Sequence, residues 1–182
     1  IEELAETIKA EPSFTLSPRL GISHPITDHS KLYFNYGHFY SEAGSTYRFR
    51  LQRESNGLVT KLGNPDLNQE RTIANELGYS HGLNNIYLLD LADYYKDVTN
   101  QPGWVVYRDA SNTVSYSKAE SNNYQDIRGL EITLSKPRGR FVSGFVNYTY
   151  MVKTSGYFDL LQIYQNPQAQ RDYEKRNQRD SK

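Results

Sequence analysis

Alternation constrains this chain more than any other feature. From Arg71 onward, Ile73, Leu77 and Tyr79 share one parity, interrupted by Asn75, while Thr72, Ala74, Glu76, Gly78 and Ser80 share the other. A period of two is the repeat of a β-strand with one apolar face, because successive side chains leave a strand on opposite sides. The second face is small and polar rather than core-like. Ahead of this stretch stands Gly63-Asn64-Pro65-Asp66, a turn signal in which Gly is permissive and Pro fixes φ and holds its predecessor extended.

The pattern recurs along the chain. Phe14 to Ile26 sets Leu16, Leu20, Ile22 and Ile26 against Ser17, Arg19, Gly21 and Ser23, with Pro18 and His24 on the apolar side. A polar turn, Thr27–Ser30, leads back through Lys31–Tyr40, where Leu32, Phe34 and Tyr36 oppose Tyr33, Asn35 and Gly37, completing an antiparallel hairpin. After the Arg71 strand, Gly82–Asn85 turns into Ile86–Val98, whose face of Tyr87, Leu89, Leu91 and Tyr95 is broken by Asp93. Leu130, Ile132 and Leu134 then oppose Gly129, Glu131 and Thr133. A third short turn, Ser135–Gly139, precedes Arg140–Val152, with Val142, Val146, Tyr148, Tyr150 and Val152 on one side and Phe145 out of pattern. Alternation fails over Ser41–Gln69 and Thr99–Asn122, which read as long loops. After Lys153 the chain is polar again, and Asn166-Pro167 can start a surface helix running to about Arg179.

Six strands whose connections alternate short and long are hard to reconcile with a β-sandwich, which has no reason to gather its short turns at one end. A transmembrane β-barrel has that reason, since its periplasmic turns are short and its extracellular loops long. The strands are close to the roughly 9–11 tilted residues that cross a bilayer. The 16 tyrosines, against one Trp and one Met, suit half-wet strands and membrane interfaces. No run approaches the roughly 18 apolar residues of a transmembrane helix. Zero formal net charge gives no general attraction to nucleic acid, and the absence of cysteine excludes disulfides and thiol chemistry. The fold class expected is therefore all-β: an antiparallel transmembrane β-barrel segment of about six strands. Six strands are too few to close a spanning barrel, and open edges in lipid are not viable, so the missing strands are expected in a parent chain. The start, without an initiator Met or a signal peptide, and the polar finish are consistent with an internal piece. The expected division is 1–12 as a loop or short helix, with Ile1, Leu4, Ala5 and Ile8 at helical spacing before Pro12. Residues 13–152 are the partial barrel, and 153–182 a truncated outer loop with a helical part.

Several motifs, in order, resemble the C-terminal β-barrel of TonB-dependent outer-membrane receptors. They are Ser17-Pro18-Arg19-Leu20-Gly21-Ile22-Ser23, Leu32-Tyr33-Phe34-Asn35-Tyr36-Gly37-His38, Gly63-Asn64-Pro65-Asp66-Leu67, Glu76-Leu77-Gly78, Tyr94-Tyr95-Lys96-Asp97, Arg128-Gly129-Leu130-Glu131 and Asn147-Tyr148-Thr149-Tyr150. The resemblance covers residues 14–152. Gln69 stands where the family commonly has a second Pro, a departure confined to a loop. The resemblance implies energy-coupled uptake across the Gram-negative outer membrane by a barrel of about 22 strands around a plug. TonB acts on that plug, and the scarce ligand is typically a ferric siderophore, haem, cobalamin or an oligosaccharide. It implies as partners outer-membrane lipid, the rest of the barrel, the plug, TonB through the plug, and an unidentified small molecule; nucleic acid and cofactors are not among them.

Within the motifs, Arg19, Glu76 and Glu131 read as lumen charges first and transport determinants second, with Gly129 permitting close backbone approach. Tyr47, Phe49, Trp104, Tyr107, Tyr116 and Tyr157, with Phe158 and Tyr164, are loop aromatics that either contact a ligand or pack loop against loop. His24, His29, His38 and His81 lack metal-ligand spacing, and Asp90, Asp93 and Asp97 lack the Gly-turned calcium loop. No nucleophile elbow or phosphate-binding Gly loop points to an enzyme. The competing readings are a soluble all-β binding or adhesion module, or a passive porin or lipase-type barrel, which the ordered motifs and loop lengths disfavour.

Overall fold

The computed structural model describes residues 14–111 and 113–180, without side-chain detail after Asn177. The helix-or-loop expectation for 1–12 lies outside the described residues. The chain forms β1 (Arg19–Thr27), β2 (Ser30–Ser41), α1 (Ser45–Phe49), β3 (Leu51–Arg53), β4 (Val59–Leu62), β5 (Glu70–Leu83), β6 (Tyr87–Arg108), β7 (Ser115–Lys136), β8 (Gly144–Tyr157), β9 (Gln162–Tyr164) and α2 (Pro167–Asp180). The six long strands pair antiparallel in the order β1-β2-β5-β6-β7-β8, an open, incomplete barrel.

Local chemistry closes the short end. At the β1–β2 turn Thr27 pairs with Ser30, and their hydroxyls share a 2.6 Å hydrogen bond. Between β5 and β6, Asn84 and Asn85 take φ of 52° and 55°, the left-handed region that Asn tolerates and a tight hairpin requires. The β7–β8 turn is longer than the sequence suggests: pairing stops at Lys136–Gly144, so 140–143 belong to the turn and not to the strand. At the other end, Asn166 Oδ1 accepts from the amides of Gln168 and Ala169, capping α2 where Asn-Pro predicts it.

The expected 99–122 loop is instead paired structure. β6 and β7 are 22 residues each and run on as a hairpin whose pairing continues to Arg108 and Ser115. At about 3.3 Å per residue each is roughly 70 Å long, about twice what a tilted strand needs to cross a bilayer. Alternation fails here for two physical reasons. The register slips between Val98 and Gly103, where Asn100 takes a φ of 60°. Beyond the slip both faces of the hairpin carry loop contacts, so neither needs to be uniformly apolar.

The two flanking connections also cross. β4, in the connection that enters β5, pairs parallel with β7, whereas β5 itself pairs with β6. β9, which follows β8, pairs parallel with β6, whereas β8 pairs with β7. Each connection therefore grips the far edge of the β6–β7 hairpin. The small buried cluster of the described residues lies in this crossing: Ala43, Leu67 and Ala119, with Tyr47 and Trp104 packed against it, their rings 5.4 Å apart.

Elsewhere one surface of the sheet carries continuous apolar rows. Leu32, Tyr79, Leu91, Ile132 and Tyr148 occupy one cross-strand row, and Ile22, Phe34, Leu77, Leu130 and Tyr150 the next of the same parity. Leu77 is 53% exposed, Ile22 54% and Tyr148 59%. Asp93 interrupts the second row, paired across the strands with Leu77 and Leu130.

Candidate functional site

The inner, concave surface carries the opposite parity, and its rows gather much of what the motifs single out. Arg19, Gly37, Ala74, Lys96 and Ile127 form one row; Gly21, Asn35, Glu76, Tyr94 and Gly129 the next; Tyr33, Gly78, Ala92 and Glu131 a third. Glycines recur because aromatic rings from neighbouring positions lie flat over them. A Cβ on Gly78 would fall inside the Tyr33 ring, and one on Gly129 would come 2.6 Å from the Tyr94 hydroxyl and from the Tyr150 carbonyl. A Cβ on Gly37 would meet the Phe39 ring at 3.0 Å. Rings laid over glycine pin strand register on a wall that has no packed core behind it.

The wall carries charges of both signs. Arg19 stands over the Phe39 ring at 4.6 Å and Lys96 over Tyr94 at 5.3 Å, both in the first of these rows. The carboxylates of Glu76, Glu131 and Asp90 lie in the rows below, Asp90 accepting from the Ser80 hydroxyl at 2.5 Å. Arg19, Gly21, Gly37, Glu76, Tyr94 and Lys96 line one concavity of about 630 Å³.

Other motif residues face outward. Tyr36, Tyr95, Asp97, Arg128 and Tyr148 have the parity of the apolar rows. The Tyr95 hydroxyl donates to Asp126 at 2.7 Å. Tyr36, His38 and Tyr40 form an edge-packed ladder at the loop-side margin of the apolar band, the position of an aromatic girdle. Pro18 contributes its carbonyl, which accepts from the His38 amide, and needs no donor of its own.

The Gly63–Leu67 motif anchors the long loop. The Gly63 amide donates to Arg50 O at 2.6 Å and the Asn64 amide to Tyr47 O at 2.8 Å, while Asn64 Oδ1 accepts from the Asp66 amide. A Cβ at Gly63 would sit 2.7 Å from the Arg50 backbone nitrogen. Leu67 inserts into the buried cluster.

Where the loops cross over the hairpin they leave a cleft of about 420 Å³. Asn64, Asp66, Leu67 and Asn68 form one side, Asp159, Leu160 and Ile163 another, and Val105, Tyr107, Glu120, Ser121 and Asn122 the third. The Phe158 amide donates to Asn122 O at 2.7 Å, tying the second side to the third. Asn122 is 8% exposed, and neither its Oδ1 nor its Nδ2 meets a partner among the described residues; nor does Ser121 Oγ. An unpartnered buried polar group costs about 1–3 kcal/mol. Sequence reasoning missed this site, because nothing marks a Ser-Asn pair in a polar stretch as buried.

Of the loop aromatics, Tyr47 and Trp104 pack on each other, and Tyr107 and Tyr116 stack at 5.4 Å. Phe49 is exposed beside the Arg48 guanidinium, and Tyr157 is partly exposed at the end of β8. Tyr124 packs on Phe158, and Tyr164 on Tyr173. Only Tyr107 of these reaches the cleft, donating to Glu120, which also pairs with Lys118 at 2.9 Å. Burial first, then the Glu120 carboxylate and its hydrogen bond, push the Tyr107 phenol up to about 12. The neutral phenol is thus the favoured form, and its contribution to stability is complete below the ordinary phenol value of about 10 and lost as pH rises through about 12. Replacing Tyr107 with Phe is expected to remove the last step of an alkaline phenolate absorbance titration and leave the earlier steps in place.

Comparison with known proteins places this architecture. The chain resembles the copper transporter OprC, with a TM-score of 0.52 at 19% identity over 75% of this chain and 20% of that one. It also resembles the FrpB iron transporter from Neisseria meningitidis (F3-3 variant), with a TM-score of 0.50 at 12% identity over 79% of this chain and 20% of that one. The chain thus spans about a fifth of the length of either structure. No curated protein matches it in sequence. The sequence profile described as TonB dependent receptor-like, beta-barrel, matches residues 6–179. With nearly its whole length matched, the chain belongs to the TonB-dependent receptor-like β-barrel family.

Proposed function

We propose that this chain supplies barrel wall and extracellular loops to a TonB-dependent transporter of a Gram-negative outer membrane, which takes up a scarce small molecule. The observation that carries the reading is the two-faced sheet. Its outward rows are apolar and exposed, its inner rows hold glycines, aromatics and charges, and β1 and β8 are each paired on one side only among the described residues. Such a sheet is stable in lipid only when further strands take up both edges. On this reading the inner wall faces a plug, TonB acts through that plug, and the crossed loops stand outside the membrane as part of the ligand-receiving surface.

The test is made on the complete protein that carries this segment. It is expected to fractionate with outer membranes, to run as a compact band in detergent gels until heated, and to support ligand accumulation that stops when the tonB gene is disrupted. Recovery of a soluble monomer without detergent would overturn the reading in favour of a binding module.

A further inference from the structure

We propose that the β7–β8 turn docks the headgroup of an anionic phospholipid, phosphatidylglycerol, on the short-turn side of the membrane; this rests on the transporter reading above. The outward apolar rows end on that side at Leu89, Leu134 and Val146. The next positions of the same parity are Tyr87 and Lys136, and the Lys136 ammonium stands 5.8 Å from the centre of the Tyr87 ring. Such a pair at the margin of an apolar band lays its carbon on hydrocarbon and its polar tips among headgroups. The turn that follows adds Arg138 and Arg140, both exposed. A Cβ on Gly139 would come 3.3 Å from the Lys136 ammonium, so that cation lies over the backbone between the two arginines. From Ile132 to Asn147 the chain holds no carboxylate. None of the three cations forms an ion pair among the described residues.

Charge and apolar surface together select the occupant. Phe141 is 89% and Val142 66% exposed, and the Arg140 guanidinium stands 5.4 Å from the centre of the Phe141 ring. A phospholipid satisfies both halves, with its phosphate among the cations and its acyl chains against the apolar pair. A soluble anion would leave Phe141 and Val142 in water. An acidic protein would match the cations but not the continuity of Tyr87 and Lys136 with the lipid-facing rows. The other two short turns, Thr27–Ser30 and Leu83–Ile86, carry neither Lys nor Arg. The cations are therefore gathered at one turn rather than spread along the rim, and clustered cations beside a bilayer attract anionic headgroups.

The experiment titrates the complete receptor, delipidated in a neutral detergent, with phosphatidylglycerol or phosphatidylcholine and counts bound lipid by native mass spectrometry. Phosphatidylglycerol is expected to be retained in preference to phosphatidylcholine. Arg138→Gln with Arg140→Gln is expected to remove one retained phosphatidylglycerol, its affinity falling about 25-fold, or about fivefold for each cation lost beside an anionic lipid. Should the double variant lose the compact band before heating, Arg138→Gln alone carries the readout at about fivefold. Phe141→Ser is expected to weaken the same site about threefold or more while leaving the charges in place. Glycerophosphoglycerol, the headgroup without its chains, is expected not to compete. Equal retention of the two lipids, or an unchanged count in the arginine variant that folds, would overturn the proposal. Competition by the free headgroup or indifference to Phe141→Ser would also overturn it, in favour of a soluble anion. Loss of binding to purified peptidoglycan in the arginine variant, with lipid retention intact, would overturn it in favour of the cell wall. A receptor that is heat-modifiable and outer-membrane-bound yet unselective for lipid sinks this inference alone; one that is soluble sinks the transporter reading.

Discussion

Gly78→Val is expected to destabilise the barrel by about 1–3 kcal/mol, the range for forcing side-chain volume into an occupied site. A Cβ at Gly78 would overlap the Tyr33 ring, so the ring must give up its place against the sheet. Against a typical domain stability of about 5–15 kcal/mol this is a large fraction. The measurement is the urea midpoint at which the complete receptor loses its compact, heat-sensitive band. In a Tyr33→Ala background the same substitution should cost less than about 1 kcal/mol, because residues in direct contact couple while distant ones add. Equal costs in both backgrounds would mean that the ring over Gly78 is not what requires a glycine there.

The same pair shows why sequence reading succeeds for some of this fold and fails for the rest. Where a strand has one face toward lipid and one toward a wet lumen, the two environments differ so strongly that parity is written into residue type. Ile73, Leu77 and Tyr79 against Thr72, Glu76 and Gly78 could be sorted without coordinates, and the strand order followed from connection lengths. The motifs' division between an inner set (Arg19, Gly21, Gly37, Glu76, Gly78, Lys96, Gly129, Glu131) and an outer set (Tyr36, Tyr95, Asp97, Arg128, Tyr148) follows from the same parity once register is known. That Tyr33 covers Gly78, or Tyr94 covers Gly129, was not legible, since cross-strand register depends on pairing partners far apart in sequence.

Past the slip at 98–103 the legibility ends. Trp104-Val105-Val106-Tyr107 and Ser115-Tyr116-Ser117-Lys118-Ala119 pair as strands, yet their alternation is masked by the slip at 98–103 and by loops on either side. The crossing of β4 to β7 and β9 to β6 exchanges neighbours in a way no local signal marks. The cleft arises at that crossing, from three segments far apart in sequence, and so do the buried amide of Asn122 and the packing of Trp104 on Tyr47. Tyr47 and Trp104, candidates for ligand contact on composition, are engaged with each other; Tyr107 alone of the six candidates opens on the cleft.

The outward face gives the other large effect. Leu91 lies in the row of Leu32, Tyr79, Ile132 and Tyr148, with an apolar row on either side: Phe34, Leu77, Leu130 and Tyr150 toward the loops, Leu89, Leu134 and Val146 toward the turns. If lipid covers this surface, Leu91→Arg places a cation well inside the hydrocarbon band and costs about 2–4 kcal/mol. Thr133→Arg, one residue from Ile132 along β7 but on the inner face, should cost less than about 1 kcal/mol. It loses the 2.7 Å hydrogen bond from Asn147 but places the guanidinium in the row of Asp90. The measurement is folding of the complete receptor into vesicles, compared between the two variants by urea titration. Asp93, already in the outward band, shows that one carboxylate is tolerated there, in keeping with the smaller cost of acidic residues than of Arg on a lipid-facing surface. Nearly equal effects of Leu91→Arg and Thr133→Arg would mean that lipid does not cover the outward rows. A larger penalty at 133 would mean that the inner wall is the dry one, the arrangement a soluble sandwich requires.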